Sequence, residues 1–349
     1  MSATEWQRYS RALGSVTEAI GRTPVVRLNR VTAGLRPSLF MKLEWYSPTG
    51  SFKDRIYLQM FTRAERRGEL KPGMTVLECS TGNAGAASAF VAAVKRYRCI
   101  IVMPDGMSEE RKKLMRAYGA ELVFTPGGES DVDLSLEKLE EIRLNDPDRY
   151  WVPAQFTNAD NVATHYETTG PEVWEQCEGK LGAFVAAQGS GGTLTGAGGY
   201  FRERDPRVAL YAVEPAECAI LARKQWGPHG IEGIGDGFVP ENLDLSLLTG
   251  VIAVSTGESL AMAQRLAREE GIFCGISSGC NAAAAVKLAR RHPELSSIVV
   301  LACDTGQRYF TTALCGETKH LEVPEREHVL DARSRSLLDT FQPRWEVIE

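Results

Sequence analysis

The chain has 349 residues, 43% of them hydrophobic and 24% charged, so it can bury two cores without disulfides and is too apolar to be disordered. Lys plus Arg number 40 against 45 for Asp plus Glu, a formal net charge of −5. With no basic run to neutralise a phosphate backbone, nucleic acid is not an expected partner.

Other classes fall away on local grounds. The longest uncharged stretch, 181–201, holds seven glycines and several hydroxyls, which hydrocarbon would penalise, so no membrane span is expected. The first residues carry Glu5, Arg8 and Arg11 with no apolar core behind them; no secretory signal is expected and the cytoplasm is the default location. Eight cysteines, at 79, 99, 177, 218, 274, 280, 303 and 315, form no Cys-x-x-Cys, and the five histidines lie apart from them. They read as reduced thiols, with no metal site.

In chain order, residues 39–43 read as a buried strand, followed by the turn Ser47-Pro48-Thr49-Gly50-Ser51 and a helix over 52–67. Strand 75–78 runs through Ser80-Thr81-Gly82-Asn83 into an Ala-rich helix over 84–96. Strands 99–103 and 121–124 flank a helix over 109–118, and the polar stretch 129–149, ending Asn145-Asp146-Pro147-Asp148, reads as a helix and loop leaving a first α/β unit. Strand 183–187 ends in Gln188-Gly189-Ser190-Gly191-Gly192-Thr193, with a helical stretch after it. Strands 208–213, 251–254 and 298–302 and helices 258–269 and 280–291 complete an α/β pattern; after Gly316 the apolar periodicity weakens into a charge-rich, partly ordered tail. Ligands of such sheets sit beyond the carboxyl ends of the strands, where loops meet helix N-termini.

Three of these turns carry chemistry. Lys53 falls in the first turn of its helix, where the dipole and partial burial disfavour the ammonium and leave an amine able to attack a carbonyl. The turn 80–83 offers hydroxyls and main-chain N–H groups to a carboxylate, and Asn83 an amide to a phenolate-type oxygen. Gly189 to Thr193 forms a phosphate cup, with Ser190 and Thr193 adding hydroxyls. It is neither a P-loop, because Leu194 stands where Lys is needed, nor a dinucleotide fingerprint, because its third glycine is missing. Taken singly, the first two turns also have a structural reading: a solvated lysine and an ordinary N-cap.

Together the segments resemble the fold-type II pyridoxal-phosphate enzymes, and within them the cysteine synthase and cystathionine β-synthase group. The resemblance spans about Ile20 to Thr312 and rests on Pro48 to Arg55, Ser80 to Asn83, Gln155-Phe156 through His165 to Glu172, Gly189 to Thr193, Ile231 to Pro240 and Gly275-Ile276-Ser277-Ser278-Gly279. It implies two domains, each a twisted mostly parallel sheet flanked by helices: a smaller one over 47–157, a larger one over 1–46 plus 158–316, and a tail over 317–349. It further implies pyridoxal 5'-phosphate held by Lys53 as a Schiff base, Asn83 at the ring hydroxyl, Gly189, Ser190, Gly191, Gly192 and Thr193 at the phosphate, and Thr305, where relatives usually carry serine, at the pyridine nitrogen. Ser80, Thr81 and Gln155, with Gly233 of the 231–240 loop, would hold the substrate. Ala84 departs from the threonine usual there, which removes one side-chain contact to the substrate carboxylate.

The implied chemistry is β-replacement on an activated serine. Lys53, displaced by the substrate amine, takes the α-proton, the β-substituent departs and a sulfur nucleophile adds, giving cysteine from sulfide in a homodimer. A neutral hydroxyl at the ring nitrogen favours elimination over transamination. O-phosphoserine as donor would call for a cation in the pocket, with Arg223 and Lys224 the nearest candidates in sequence. Condensation of serine with homocysteine, and a non-catalytic relative, are the alternatives.

Overall fold

The computed structural model describes residues 12–127 and 132–316; the readings made for the first eleven residues and for the tail lie outside them. The first half runs β1 (Val25–Arg27), β2 (Ser38–Leu43), α1 (Lys53–Arg67), β3 (Thr75–Cys79), α2 (Asn83–Lys95), β4 (Arg98–Pro104), α3 (Glu109–Ala117), β5 (Glu121–Thr125), α4 (Val132–Asn145) and β6 (Tyr150–Trp151). The second half begins with α5 (Ala159–Thr164), a π-helical turn over His165–Thr169 and α6 (Gly170–Gln176). It continues with β7 (Ala183–Ala187), α7 (Gly192–Arg204), β8 (Ala209–Pro215), α8 (Ile220–Arg223), β9 (Gly250–Val254), α9 (Thr256–Arg265), α10 (Ile276–Arg291) and β10 (Ser297–Ala302).

Two sheets result, one of six strands in the order β1-β2-β10-β7-β8-β9 and one of four in the order β5-β4-β3-β6. Only the β1–β2 pair is antiparallel. Both faces of each sheet are covered, which is why the strands read as unbroken apolar runs rather than alternating ones. Val76 of β3 packs with Tyr57 and Phe61 of α1 and Phe90 of α2 on one side. Its neighbour Leu77 packs with Val102 and with Leu139 of α4 on the other. In the larger sheet Val300 faces Ala282 and Ala285 of α10, and Val299 faces Leu194 and Phe201 of α7.

Three details depart from the sequence reading. Within the stretch 129–149, the described residues 132–149 do not leave the first unit: α4 is a crossover helix that brings β6 back beside β3, with Val76 opposite Trp151. The edge strand β1 was not anticipated. Helix α10 starts at Ile276, four residues ahead of Cys280, which places Ser277 and Ser278 in its buried first turn.

Candidate active site

The turns after β2, β3 and β7, the end of β10, the 155–156 segment and the 231–236 loop line one cavity. Lys53 enters it because the preceding turn is tied to β10: Phe52 N donates to Cys303 O (3.0 Å) and Thr305 N to Gly50 O (3.1 Å). Lys53 Nζ donates to Gln155 Oε1 at 3.0 Å. Burial lowers its pKa to about 8, against the opposing pull of Asp236, Cys303 and Glu78. Gln155 is itself held, since its carbonyl accepts from Asn161 Nδ2 and Asn242 Nδ2, both at 2.8 Å.

The β3–α2 turn brings Ser80, Thr81 and Asn83 to the same cavity. Ser80 Oγ accepts from Gly85 N at 2.8 Å, shaping the turn around the helix N-terminus. Asn83 Nδ2 donates to the buried carboxylate of Asp304 at 2.8 Å, a carboxylate also bonded by Tyr309 OH at 2.8 Å. Across the cavity Arg111 of α3 pairs with Glu232 of the 231–236 loop and donates to Thr81 O at 3.3 Å.

Gly189, Ser190, Gly191 and Thr193 line the cavity on the side of the larger sheet. Gly191 is the N-cap of α7, with a positive φ of 81°, no side-chain cap and no acidic residue in the first helical turn. A Cβ at Gly191 would stand 2.8 Å from Leu243, and one at Gly192 would collide with the Asn161 amide. Only glycine permits this close backbone, and the helix offers N–H groups that no side chain caps. Ser190 Oγ accepts from Asn161 Nδ2 at 2.9 Å, and Thr193 Oγ1 lies 3.2 Å from His165 Nε2. His165 stays neutral, its pKa lowered to about 3 by burial and by the charges of Arg55 and Lys53.

Ten of the twelve site residues read from the sequence therefore line one cavity: Lys53, Ser80, Thr81, Asn83, Gln155, Gly189, Ser190, Gly191, Thr193 and Gly233. Gly192 is packed against Asn161 just behind it. Thr305, expected at the ring nitrogen, is not among the lining residues. Its hydroxyl accepts from Gln307 N at 3.3 Å and its methyl lies beneath Gly50, outside the lining. The hydroxyl that does line the cavity is that of Ser277, beside Cys303, because the first turn of α10 abuts the end of β10: Cys303 N donates to Ser278 Oγ at 2.8 Å. The motif 275–279 carried that signal without a role attached. Asn161, His165, Asp304 and Arg111 were not anticipated, for they act through partners distant in sequence.

An uncapped glycine cradle fit for a phosphate, an amide, a hydroxyl and a buried lysine of lowered pKa suit pyridoxal phosphate, whose aldehyde, ring oxygen, ring nitrogen and phosphate need those four partners. The fold and site define a pyridoxal-phosphate-dependent enzyme: residues 16–304 match the family described as pyridoxal-phosphate dependent enzyme, and the chain belongs to it. Among its relatives, cysteine synthase of Staphylococcus aureus (strain Mu50 / ATCC 700699) is 40% identical over 305 residues, 87% of this chain and 97% of that one. The crystal structure of a cysteine synthase from Entamoeba histolytica superposes with a TM-score of 0.84 at 34% identity, covering 96% of this chain and 97% of the other. That of an O-ureido-L-serine synthase gives 0.84 at 39% identity, covering 89% and 98%.

Proposed function

We propose that the protein is a cysteine synthase, replacing the β-substituent of O-acetyl-L-serine with sulfide to give L-cysteine. One observation carries this: a buried amine lies in the same cavity as an uncapped, glycine-built helix N-terminus and a second turn suited to a carboxylate. Lys53 would hold pyridoxal phosphate covalently, Gly189 to Thr193 its phosphate, Asn83 its ring oxygen and Ser277 its ring nitrogen. When bound, the group supplies the electron sink that makes the substrate's α-proton removable and its β-substituent expellable.

The chain's own residues do the rest. The turn 80–82 takes the substrate carboxylate, with Gln155 nearby to position it. Lys53 Nζ would be the base for the α-proton, and burial lowers its pKa to about 8, where a neutral amine is accessible. The acetyl ester is preferred to the phosphate ester as donor. Arg223 and Lys224 end α8 away from the lining, while Glu232 and Asp236 line the cavity and Arg111 is engaged with Glu232.

The smaller sheet and its helices, 47–157, and the remainder, 1–46 plus 158–316, would work as two domains closing on substrate. A homodimer in the cytoplasm accompanies this reading; all eight cysteines are free thiols, as a reducing compartment requires. The experiment is steady-state cysteine formation by the holoenzyme from sulfide with O-acetyl-L-serine or O-phospho-L-serine. Higher kcat/KM with the acetyl ester is expected, and absence of turnover with both donors refutes the assignment.

A further inference from the structure

Among the described residues, the formally charged side chains lining the catalytic cavity are Lys53, Arg111, Glu232 and Asp236. With Lys53 committed to the cofactor, the α-carboxylate of an amino-acid donor enters a cavity that holds two carboxylates and one further cation. Like charges repel more strongly in such a low-dielectric site than in water. The turn that takes this carboxylate also has Ala84 at its end, one hydroxyl fewer to offer.

Arg111 is placed to answer both deficits. It is 4% exposed in the wall formed by α3, with Cζ 5.4 Å from the centroid of the Tyr309 ring, and that ring is fixed by its own hydroxyl on Asp304. An aromatic face under a guanidinium holds it in one plane. Nη1 donates to Thr81 O at 3.3 Å. A Cβ on Gly82 would stand 3.5 Å from both Cζ and Nε, so the guanidinium lies in van der Waals contact with the carboxylate turn itself. Its partner Glu232 belongs to the 231–236 loop, and the Glu232 side chain is 21% exposed against 5% for Arg111. The cation touches the turn, and the anion that tempers it comes from another element.

We propose that Arg111 is a positioning residue for the amino-acid donor: it fixes the Thr81 carbonyl and lends the 80–82 turn the positive charge that a carboxylate needs, while Glu232 limits that charge. The inference rests on the β-replacement reading and names what its donor site uses in place of a hydroxyl at position 84. The two partners then act with opposite sign on donor binding. Without the Glu232 charge, Arg111 is less neutralised and the carboxylate is held more tightly; without Arg111, the carboxylate faces Glu232 and Asp236 unopposed. A salt bridge that only tethered the loop to α3 would lose binding whichever partner were removed.

Binding is read from the absorbance of the bound cofactor as holoenzyme is titrated with L-alanine, which has no β-substituent to expel, and with L-alaninamide, which lacks the carboxylate. Arg111→Met should weaken L-alanine by about tenfold or more, as loss of a charged hydrogen-bonding partner implies, and leave L-alaninamide within about twofold. Arg111→Lys, which keeps the charge, should lose less than Arg111→Met, and Glu232→Gln should tighten L-alanine by about twofold or more. Equal weakening of both ligands by Arg111→Met, a lysine variant as weak as the methionine one, or weaker L-alanine binding by Glu232→Gln each overturn the proposal; the last two decide it even where Arg111→Met does not fold. Wild-type holoenzyme that answers neither ligand and forms no cysteine from O-acetyl-L-serine and sulfide overturns instead the β-replacement reading beneath it.

Discussion

Arg55 stands two residues after Lys53, and its guanidinium is spent on structure. Nε and Nη2 donate to the two oxygens of Glu44 at 2.7 and 3.0 Å, while Nη1 and Nη2 donate to those of Glu172, both at 2.7 Å. The Glu44 and Arg55 side chains are each 1% exposed and that of Glu172 17%. Arg55→Met removes the bidentate partner of a carboxylate that water cannot reach. The remaining donor to Glu44 is the Thr23 hydroxyl, at 2.6 Å, and Lys42 Nζ instead pairs with Glu172 at 2.9 Å. Breaking one side of a buried ion pair costs about 3–5 kcal/mol, which for a chain of this size lowers the melting temperature by roughly 4–7 °C. Adding Glu44→Gln neutralises the stranded charge and should recover at least a third of the loss; adding Glu172→Gln, at the wetter edge, should recover less. Differential scanning calorimetry of the holoenzyme variants gives all three values. A fall under about 2 °C for Arg55→Met, or no recovery from Glu44→Gln, refutes the view that burial makes this charge costly.

Other outcomes follow from single atoms. Because Lys53 reacts as a neutral amine and its pKa is lowered to about 8 by burial, capture of pyridoxal phosphate by apoenzyme should quicken about tenfold per pH unit up to pH 8 and then level; stopped-flow absorbance that is flat, or that breaks near the ordinary lysine value, contradicts this. Gly192→Ala drives a methyl into the Asn161 amide, an overpacking cost of about 1–3 kcal/mol, so cofactor titration should show affinity weakened about 5- to 150-fold; unchanged affinity argues against the cradle. Ser277→Ala should shift the absorbance of the bound cofactor and Thr305→Ala should not, since the latter only removes the hydroxyl that accepts from Gln307 N; the reverse pattern would restore Thr305 to the ring nitrogen.

What the sequence discloses about this molecule is what lies within one strand–turn–helix unit. The run Thr75 to Cys79 is buried at every position, so its apolar letters, the glycine turn and the Ala-rich helix behind it state both the element and the site it presents. β1 and β6, three and two residues long, are too short to show a period, and they become strands because β2 and β3 offer them edges. Ser277 and Thr305 pose a different problem: both are hydroxyls near a strand end, and their letters do not say which one the turn of the backbone aims inward. That is decided by α10 starting four residues early and by Thr305 being drawn under Gly50.

The same limit governs the charges. Arg55 meets Glu172 across 117 positions, and Asn83 meets Asp304 across 221. No local pattern could couple them, yet the first pair fixes the base of the lysine helix and the second orients the amide assigned to the cofactor oxygen. Reactive groups are thus legible because each sits at the mouth of its own turn, whereas the groups that aim them come from the other end of the chain. A substitution at an aiming residue should therefore show itself first in cofactor affinity and spectrum, and only secondarily in the bond-breaking step.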